Sequence, residues 1–573
     1  MSVRKLLWPL VAVSLSACTA SHYRRSADKE VYSIIQQAEK QVFGTTNTFG
    51  IETRFSDREP RTISPAELIQ DRSQTNRRVV SLTQALDLAV EQSREYQAQK
   101  EQLYLSALAL SGARYEFTPI FLASSTAEVD GTGSSAMVGS VRNRLSLRQF
   151  FRTGGNLSVS LANDLLRYFI GKPPGVARNS AIDTLTVDLV QPLLRGFGRN
   201  DPTVENLTQA ERNVIYAVRS FSQYQKQFDV NIVNDYFGLL GDQATVRNNY
   251  TNYLRRVELT KYTEARAVDR VRAADVEDAR SAELSARISY INSIAAYLNG
   301  LDAFKLRLGI PIPDGLYLQD SELADLEKVG LLPVDMSPDT AFRLAIENNL
   351  DILNAIDKFE DSKRKLRIAA DQLKPGLQLF ANATLESDPP DQYADFDITK
   401  VRYQAGLSLD HLFDKLPSRN TYRATLVSFE SQIRSLIATL DNLRDRIERG
   451  FRTLEQQRQN TLNRRASLDV AARRVDMNLN LLEAGRVQVR DLREAQDALI
   501  LAQNQLTDSV VNYLAARLQL LFEVGVLTTT AERFWLNDPV HPAQTESTLR
   551  AQTAPVAPQG DVVLPHQVLE PTP

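Results

Sequence analysis

Carboxylates three residues apart are the side chains of this chain that best fit a chemical role. Asp491 and Glu494 form one such pair, and Asp275 and Asp278 form another earlier in the chain. Residues at this spacing share one face of a helix. When copies of such a helix surround a pore, their carboxylates form rings that favour cations at the pore mouth. The two pairs are therefore candidate aperture residues.

A plainer interpretation places the same carboxylates on a solvated helix face. Arg486, Arg490 and Arg493 lie close to the second pair in the sequence, and Arg272 precedes the first. Pairs between arginine and carboxylate are strong and can equally hold an aperture closed. The sequence leaves both interpretations open.

Other residue types that carry chemistry form no recognisable site. Gly196-Phe197-Gly198 lacks the lysine and the third glycine of a phosphate-binding loop, so we interpret it as a strand-to-helix turn. The four histidines have no spacing typical of metal ligands. Carboxylates that catalyse hydrolysis need a pocket, which a coiled coil does not offer. We therefore expect no enzymatic activity, no cofactor and no bound metal.

The overall composition excludes further classes of function. The formal net charge is −3 and 43% of the residues are hydrophobic, so no basic excess indicates a nucleic-acid partner. No run of eighteen apolar residues predicts a spanning helix. A membrane role would therefore depend on strands or on a lipid.

The single cysteine indicates such a lipid. Arg4 and Lys5 precede an apolar run that ends in Leu15-Ser16-Ala17-Cys18, which resembles a bacterial lipobox. The resemblance implies that residues 1–17 are a signal peptide and that Cys18 is acylated and becomes the first mature residue. One lipid cluster anchors a protein without spanning the membrane. Thr19 stands where an Asp would retain some such lipoproteins at the inner membrane, so the outer membrane is favoured.

A long helical stretch positions the second carboxylate pair. Its apolar residues recur at every seventh place, interrupted only by Thr461: Leu426, Ile433, Leu440, Ile447, Leu454, Leu468, Val475 and Leu482. A seven-residue apolar repeat predicts a helix that packs along a partner as coiled coil. From Asn420 to Ala484, about 65 residues would form a rod of roughly 97 Å.

Period-two runs predict strands in two regions of the chain, residues 119–193 and 376–410. Apolar residues alternate with polar ones, as in Thr184 to Leu189, which is typical of a strand with one apolar and one wet face. Thr153-Gly154-Gly155-Asn156 predicts a tight turn between two of these strands. The alternation fits a soluble sandwich and also fits a membrane barrel with a watery lumen.

The two halves of the chain repeat one another. Ala341 and Pro375 stand 256 positions after Ala85 and Pro119, so a helix running into strands occurs twice. Later, Asp491 and Gly525 stand 216 positions after Asp275 and Gly309, because the first half has the longer strand region. We predict a duplicated unit of helix, strands, long helix and returning helix. The two helical hairpins of one chain would leave part of their apolar seams uncovered, and four to six strands are too few for a barrel made by one chain. We therefore expect further copies of the chain to cover the seams and to complete the barrel.

In this order the elements resemble the TolC family of outer-membrane efflux and secretion channels. The segments that carry the likeness are Ser81-Leu82-Thr83-Gln84-Ala85-Leu86, Val190-Gln191-Pro192-Leu193-Leu194, Leu308-Gly309-Ile310-Pro311, Glu483-Ala484-Gly485-Arg486 and Asp491-Leu492-Arg493-Glu494-Ala495. The resemblance implies a homotrimer with a β-barrel in the outer membrane, continued by a long periplasmic α-helical coiled-coil barrel. It also implies a periplasmic adaptor and an inner-membrane transporter as partners, with Gly485 and Arg486 as candidate adaptor contacts. The extra hairpin near Gly154 departs from the repeat and leaves the strand number open.

The fold class expected is thus mostly α with a β-barrel part, built from a duplicated helix-strand-strand-helix-helix unit. The predicted domains are a signal peptide (1–17), a periplasmic lead-in (18–80), a first repeat (81–310, with strands 119–193 and a helical hairpin 201–308), a connector (311–338), a second repeat (339–527, with strands 376–410 and a hairpin 420–524) and a disordered Pro-rich tail (528–573). The function implied is export across the outer membrane in a tripartite efflux or type I secretion system. The alternative from another class is a periplasmic lipoprotein rod without a conducting lumen.

Overall fold

A computed structural model describes residues 20–46, 48–175, 177–266, 272–387, 396–410, 413–530 and 533–536. The α-helices in this part of the chain are α1 (Ala20–Phe43), α2 (Pro65–Ser73), α3 (Leu82–Gln92), α4 (Arg94–Tyr115), α5 (Pro202–Arg266), α6 (Ala273–Leu308), α7 (Ser321–Val329), α8 (Pro338–Asn348), α9 (Leu350–Asp371), α10 (Leu416–Glu483) and α11 (Val489–Val524). None of these helices combines the length and the apolar character needed to cross a membrane.

The strands in the same residues are β1 (Arg77–Val80), β2 (Ile120–Thr132), β3 (Ala136–Phe150), β4 (Asn156–Ile170), β5 (Asn179–Pro192), β6 (Gly315–Leu318), β7 (Gly376–Glu386) and β8 (Arg402–Asp410). The chain divides into two compact units. The first comprises residues 1–51, 100–221 and 354–439, and the second comprises residues 52–99, 222–353 and 440–573.

The first unit contains a single six-stranded antiparallel sheet with the order β2-β3-β4-β5-β7-β8. Four of these strands come from the first half of the chain and two from the second. The second half therefore has the two strands of the predicted unit, and the first half has two more, where the sequence indicated a departure from the repeat. The extra hairpin that the sequence indicated near Gly154 is a full member of the sheet, because β3 pairs with β4 along its length.

The turn between β3 and β4 lies against the turn that follows β5. Gly154 has φ +83°, and a Cβ there would lie 2.5 Å from the carbonyl oxygen of Gly196. Gly198 donates a backbone hydrogen bond to Thr153 O at 2.9 Å. The Gly-Phe-Gly segment is thus a strand-to-helix turn, as interpreted, and glycine is required where the two turns meet.

Helix α1 packs on α4 in the first unit. Val31, Ile34 and Ile35 are buried, and the Tyr104 hydroxyl donates a hydrogen bond to Asp28 at 2.7 Å. This helix begins at Ala20 and ends at Phe43, within the segment predicted as a periplasmic lead-in. The segment predicted as a lead-in is therefore bound to the core of this unit by apolar and polar contacts.

In the second unit, two glycines lie against two breaks in the helices. The predicted helix that runs into the first strand region is not continuous, because Ser93 adopts an extended conformation between α3 and α4. A Cβ on Gly309 would lie 2.1 Å from Gln92 O. A Cβ on Gly525 would likewise lie 2.8 Å from the carbonyl carbon of Asn348, at the break between α8 and α9. Both glycines also have positive φ, so the repeat conserves a close backbone approach as well as a helix end.

The seam of α10 packs on α11, as the seven-residue repeat predicted. Ala471 of α10 forms a buried cluster with Leu499 and Ala502 of α11, and Leu468 and Val475 pack against this cluster. Thr461, the polar interruption, is buried, and its hydroxyl lies 2.8 Å from Gln457 O and 3.2 Å from Ser509 O. A hydroxyl at this place is therefore satisfied by backbone carbonyls of both helices.

The connector contains a short strand, and part of the tail is ordered. Strand β1 pairs in parallel with β6, which joins the lead-in to the connector. Phe534 and Trp535 are buried, and Arg517 Nη1 donates to Trp535 O at 3.3 Å. The prediction of a disordered tail from residue 528 is thus wrong for this aromatic pair, because its apolar area is buried against the unit. Residues 537–573 lie outside the described part.

Candidate functional sites

The first candidate site is the helix tip of the second unit, where Asp491 lies in the first turn of α11. Its carboxylate accepts a hydrogen bond from Gln488 N at 3.0 Å, and Asp491 N donates to the carbonyl oxygen of Gln488 at 3.0 Å. The carboxylate bond is the half of a capping box that satisfies a free N–H group at the start of a helix. Asp491 is therefore oriented by its own helix end, and a negative charge there also suits the helix dipole.

Glu494, one turn further on, is exposed. Its carboxylate lies 3.7 Å from Arg490 Nε and 3.7 Å from Arg474 Nη2. Both contacts are long for ion pairs and are open to water, so their contribution to stability is small. Within one chain, Glu494 thus lies on a solvated helix face beside arginines, as in the plainer of the two interpretations of the sequence. Arg490 is one of the predicted partners, and Arg474 was not predicted.

In the first half, Asp275 takes the place of Asp491. Arg272 binds it with two hydrogen bonds of 3.0 and 3.1 Å. Asp278 lies exposed one turn further along α6. The hydrogen bonds and then the charge of Asp275 raise the pKa of Arg272, and the charge of Asp278 adds to this shift. The two halves thus present one oriented and one exposed carboxylate each at the start of the returning helix.

Gly485 and Arg486 lie in the tight turn between α10 and α11. Gly485 has φ +68°, its N–H donates to Leu482 O at 3.0 Å, and Arg486 N donates to Leu481 O at 2.8 Å. These bonds close the C-terminus of α10 with glycine in the left-handed conformation. Both residues are exposed, and nothing lies within 4 Å of a Cβ placed on Gly485. The turn therefore presents a free surface within this unit.

The sequence analysis missed a buried arginine beside this tip. Arg256 of α5 has a side chain that is only 2% exposed. Its Nη2 donates to Arg493 O at 3.0 Å and to the Asp497 carboxylate at 2.6 Å. Burial lowers the pKa of Arg256, and the charge of Asp497 opposes that shift. The pair joins α5 to α11 directly behind the aperture candidates.

A signal for this contact was present in the sequence. In α5, Ile232, Leu239, Val246 and Tyr253 recur at every seventh place. Arg256 lies three places after Tyr253, so it occupies an interior position of this heptad seam. Its counterpart 216 positions later is Ala472, so the repeat is broken by a long cationic side chain in one half only. An arginine at an interior coiled-coil position is unusual unless it is paired. Leu259 lies one turn further along α5 and packs with Val489 and Leu492.

The second candidate site is the sheet of the first unit, whose two faces differ in chemistry. Residues paired across strands share a face, so the registers define each face. One face is mainly apolar, and its members include Phe121, Ala123, Leu145, Leu147, Val159, Leu161, Leu185, Val187, Leu379, Ala381, Tyr403, Ala405, Leu407 and Leu409. Phe121 and Tyr403, on the two edge strands, are 71% and 81% exposed.

The opposite face is polar and carries charges of both signs. Arg142 lies 3.4 Å from Glu128, and Arg402 lies 2.8 Å from Glu386. Asn382 donates a hydrogen bond to Asp188 across β7 and β5. A sheet with one apolar and one charged face suits lipid on one side and water on the other.

A polar row crosses the apolar face. Ser125 donates to Asn143 at 2.7 Å, Asn143 donates to Asn163 at 3.1 Å, and Asn163 donates to Asp183. Asp183 N in turn donates to the Ser387 hydroxyl at 2.9 Å. The row links neighbouring strands from β2 to β5, so its polar groups bind one another rather than requiring water.

Cys18, the predicted lipidation site, lies outside the described residues.

Comparisons with known proteins give a likeness in structure only. No protein family profile matches the sequence, and no curated protein matches it. The CmeC outer membrane channel of Campylobacter jejuni aligns with a TM-score of 0.58 and 13% identity over 82% of this chain and 89% of its own. The outer membrane protein VceC of Vibrio cholerae aligns with a TM-score of 0.58 and 14% identity over 78% and 96%. The MtrE outer membrane channel of Neisseria gonorrhoeae, in its open state, aligns with a TM-score of 0.55 and 12% identity over 78% and 88%. The predicted likeness is therefore confirmed for the fold.

Proposed function

From this fold, we propose that the chain is a trimeric outer-membrane channel that exports molecules from the periplasm to the exterior. The observation that carries the proposal is the sheet with one apolar and one charged face, in a chain that shares its fold with outer-membrane channels. Strands of nine to fifteen residues are long enough to cross the hydrocarbon layer. In a membrane such strands must close into a barrel, because an open edge leaves backbone groups unsatisfied.

The proposal places the chain as the outer component of a tripartite efflux or type I secretion system. A periplasmic adaptor and an inner-membrane transporter would be its partners, and Cys18 would carry the lipid anchor. The barrel and the trimer are part of the proposal, as is the location in the outer membrane. The resemblance in the order of elements supports these partners.

The test of the proposal is the state of the protein in detergent and in a lipid bilayer. We expect the purified protein to have the mass of a trimer and to give discrete ion currents in a planar bilayer. A monomer without currents would instead support the periplasmic rod. Replacement of Cys18 by serine should remove the acyl mass from the mature protein without abolishing currents, which separates anchoring from conduction.

Asp491, Glu494, Asp275 and Asp278 are proposed to form carboxylate rings at the aperture. Combined Asp491→Ala and Glu494→Ala should raise conductance or reduce the preference for cations. Because Asp491 also caps α11, Asp491→Asn is the matched control, since its amide oxygen can still accept from Gln488 N. If Asp491→Asn with Glu494→Gln leaves current and selectivity unchanged, these carboxylates are helix caps and solvated groups only.

Gly485 and Arg486 are proposed as adaptor contacts because they lie exposed in the tip turn. Arg486→Glu should reduce co-purification of the adaptor while the mass of the trimer is unchanged. Arg434→Glu, also exposed on α10 but within the first unit, is the matched control. Equal loss of adaptor binding in both variants would assign the effect to overall charge.

A further inference from the structure

The two edges of the six-stranded sheet differ from its interior. In the part of the chain that the structure describes, strands β2 and β8 each have one neighbour, and along both strands nearly every residue is exposed. A long exposed edge presents free N–H and C=O groups to any strand that approaches it. In hydrocarbon those groups must be paired, so an occupant for both edges is required.

The extra hairpin consists of β2 and β3, which precede the turn at Gly154, and it is part of the six-stranded sheet. Each of the 13 residues of β2 has a partner in β3. The polar row from Ser125 through Asn143 and Asn163 to Asp183 then ties β2, β3, β4 and β5 side by side. Hydrogen bonds between side chains in consecutive strands require one continuous sheet. The edge of the sheet is therefore β2 and not β4.

The edges are complementary to each other in direction and in chemistry. The sheet is antiparallel throughout and has an even number of strands, so β2 and β8 run in opposite directions. Phe121 and Ala123 of β2 lie on the same apolar face as Tyr403 and Ala405 of β8, and both strands carry polar residues on the other face. When β8 of one copy meets β2 of a second copy, apolar continues into apolar and polar into polar.

We propose that three copies close through these edges into one barrel of roughly 18 strands, whose lumen admits solutes of about 20 Å. This rests on the proposed function, because it takes the trimer and the membrane from it. A barrel with an even strand number closes with every neighbour antiparallel. The occupant of each edge is a second copy of this chain.

The width follows from strand geometry. Strands about 4.8 Å apart and tilted by about 40° give about 36 Å between opposite backbones for roughly 18 strands. Side chains that reach about 5 Å inward leave a lumen of about 26 Å. If only four strands of each chain formed the wall, the lumen would measure about 14 Å by the same geometry. The extra hairpin therefore decides which class of solute can pass the barrel.

The lining suits hydrated solutes of either charge. The polar face carries Arg142, Arg144 and Arg148 together with Glu128 and Asp188, and some of these are paired. A lumen with both signs of charge exerts no strong selection on a passing ion. The barrel would then select solutes mainly by size. A solute of about 20 Å is wider than one α-helix, which measures about 10–12 Å with its side chains.

Cross-linking between edges tests the closure in the assembled protein. The only cysteine of the parent chain is Cys18, so it provides the background. We would combine cysteine at Ala123 or Ala127 of β2 with cysteine at Ala405 or Leu407 of β8 and treat with a short thiol cross-linker. At least one combination should give a covalent trimer. Ser124→Cys with Ala405→Cys places the thiols on opposite faces and should give none.

A pair within one chain is the positive control. Ala381 and Ala405 are direct partners in β7 and β8, so cysteines there should react within the chain and give no covalent oligomer. If this control reacts while all edge combinations fail in a conducting trimer, the closure is wrong and the proposed channel remains. A monomer without currents would overturn both the channel and this closure.

Polymer exclusion measures the width independently. Neutral polymers of about 20 Å, added on the outer side, should enter the parent barrel and lower its current. A variant that lacks residues 120–155 would leave four strands per chain and should exclude the same polymers. If both the parent and the deletion variant conduct and the same polymers lower their currents to the same extent, the hairpin does not widen the lumen. If the deletion variant does not assemble, entry or exclusion in the parent alone decides the width.

Discussion

Arg256 and Asp497 should respond unequally to mutation, although each is the partner of the other. The guanidinium of Arg256 is almost fully buried, whereas the side chain of Asp497 is 61% exposed. Arg256 Nη1 is also buried and has no hydrogen-bond partner among the described residues. Removing the carboxylate leaves a buried charge unpaired, while removing the guanidinium leaves an exposed carboxylate in water.

The size of the difference follows from the bonds. Asp497→Ala removes a charge-assisted hydrogen bond and leaves Arg493 O as the remaining acceptor of Arg256. Such a bond contributes about 1.5–3 kcal/mol, and the exposure of Asp497 favours the middle of this range. We expect a loss of about 2 kcal/mol, equivalent to about 30-fold in an equilibrium constant. Arg256→Met removes the buried charge together with its unsatisfied nitrogen, so its cost should be below about 1 kcal/mol.

The assay combines chemical denaturation of the protein in detergent with single-channel recording. Asp497→Ala should lower the free energy of unfolding and increase the open fraction of the proposed channel, because the contact between α5 and α11 lies next to the aperture candidates. The double variant with Arg256→Met should recover most of the stability that Asp497→Ala loses. If Arg256→Met costs as much as Asp497→Ala, or if the two losses add, the burial argument is refuted.

Three further predictions concern stability. Burial raises the pKa of Asp229 to about 6, and a hydrogen bond with Thr529 opposes this shift. Between about pH 4 and pH 6 the folded protein therefore holds a proton that the unfolded chain has lost, so the free energy of unfolding should fall as pH rises through this range. Asp229→Asn should remove this fall and be more stable by about 2 kcal/mol at pH 7 but not at pH 4, and a difference independent of pH would contradict this. Gly485→Ala should destabilise the protein by about 1 kcal/mol, because φ of Gly485 is +68°. Gly238 lies within α5 and a Cβ there would have no atom within 4 Å among the described residues, so Gly238→Ala should stabilise the protein by up to about 1 kcal/mol in the same denaturation assay. Effects of equal sign would refute the backbone argument. Trp535→Ala should cost about 3–5 kcal/mol, and an unchanged denaturation midpoint would mean that the aromatic pair is not held in the core.

The elements of this chain were predictable because their signals are local. A seven-residue seam in α10, alternation in β5 and β7, and glycines at helix ends each reflect a repeat of backbone geometry. The duplication was also visible, because Asp491 and Gly525 keep their distances from one another. The tip carboxylates could be located from the turn that precedes them.

Contacts between distant parts of the chain were not predictable in the same way. The break at Ser93 depends on the backbone of Gly309, more than two hundred residues later. The pairing of Arg256 with Asp497 and the burial of Trp535 depend on which helices become neighbours. Local periodicity carries no information about such neighbours, because it states which face is apolar and not what covers it.

The residue pattern alone was enough to predict the long helices, the strands of the large sheet with their polar and apolar faces, and the place of the aperture candidates, since these depend on residues a few positions apart. Only the tertiary structure decided that the extra hairpin joins the sheet, that Asp491 caps its helix, and that a buried arginine lies behind the tip. The physical reason is that strand order, capping geometry and burial are set by packing between segments far apart in the chain. The same packing makes β2 and β8 the edges through which a second copy would bind.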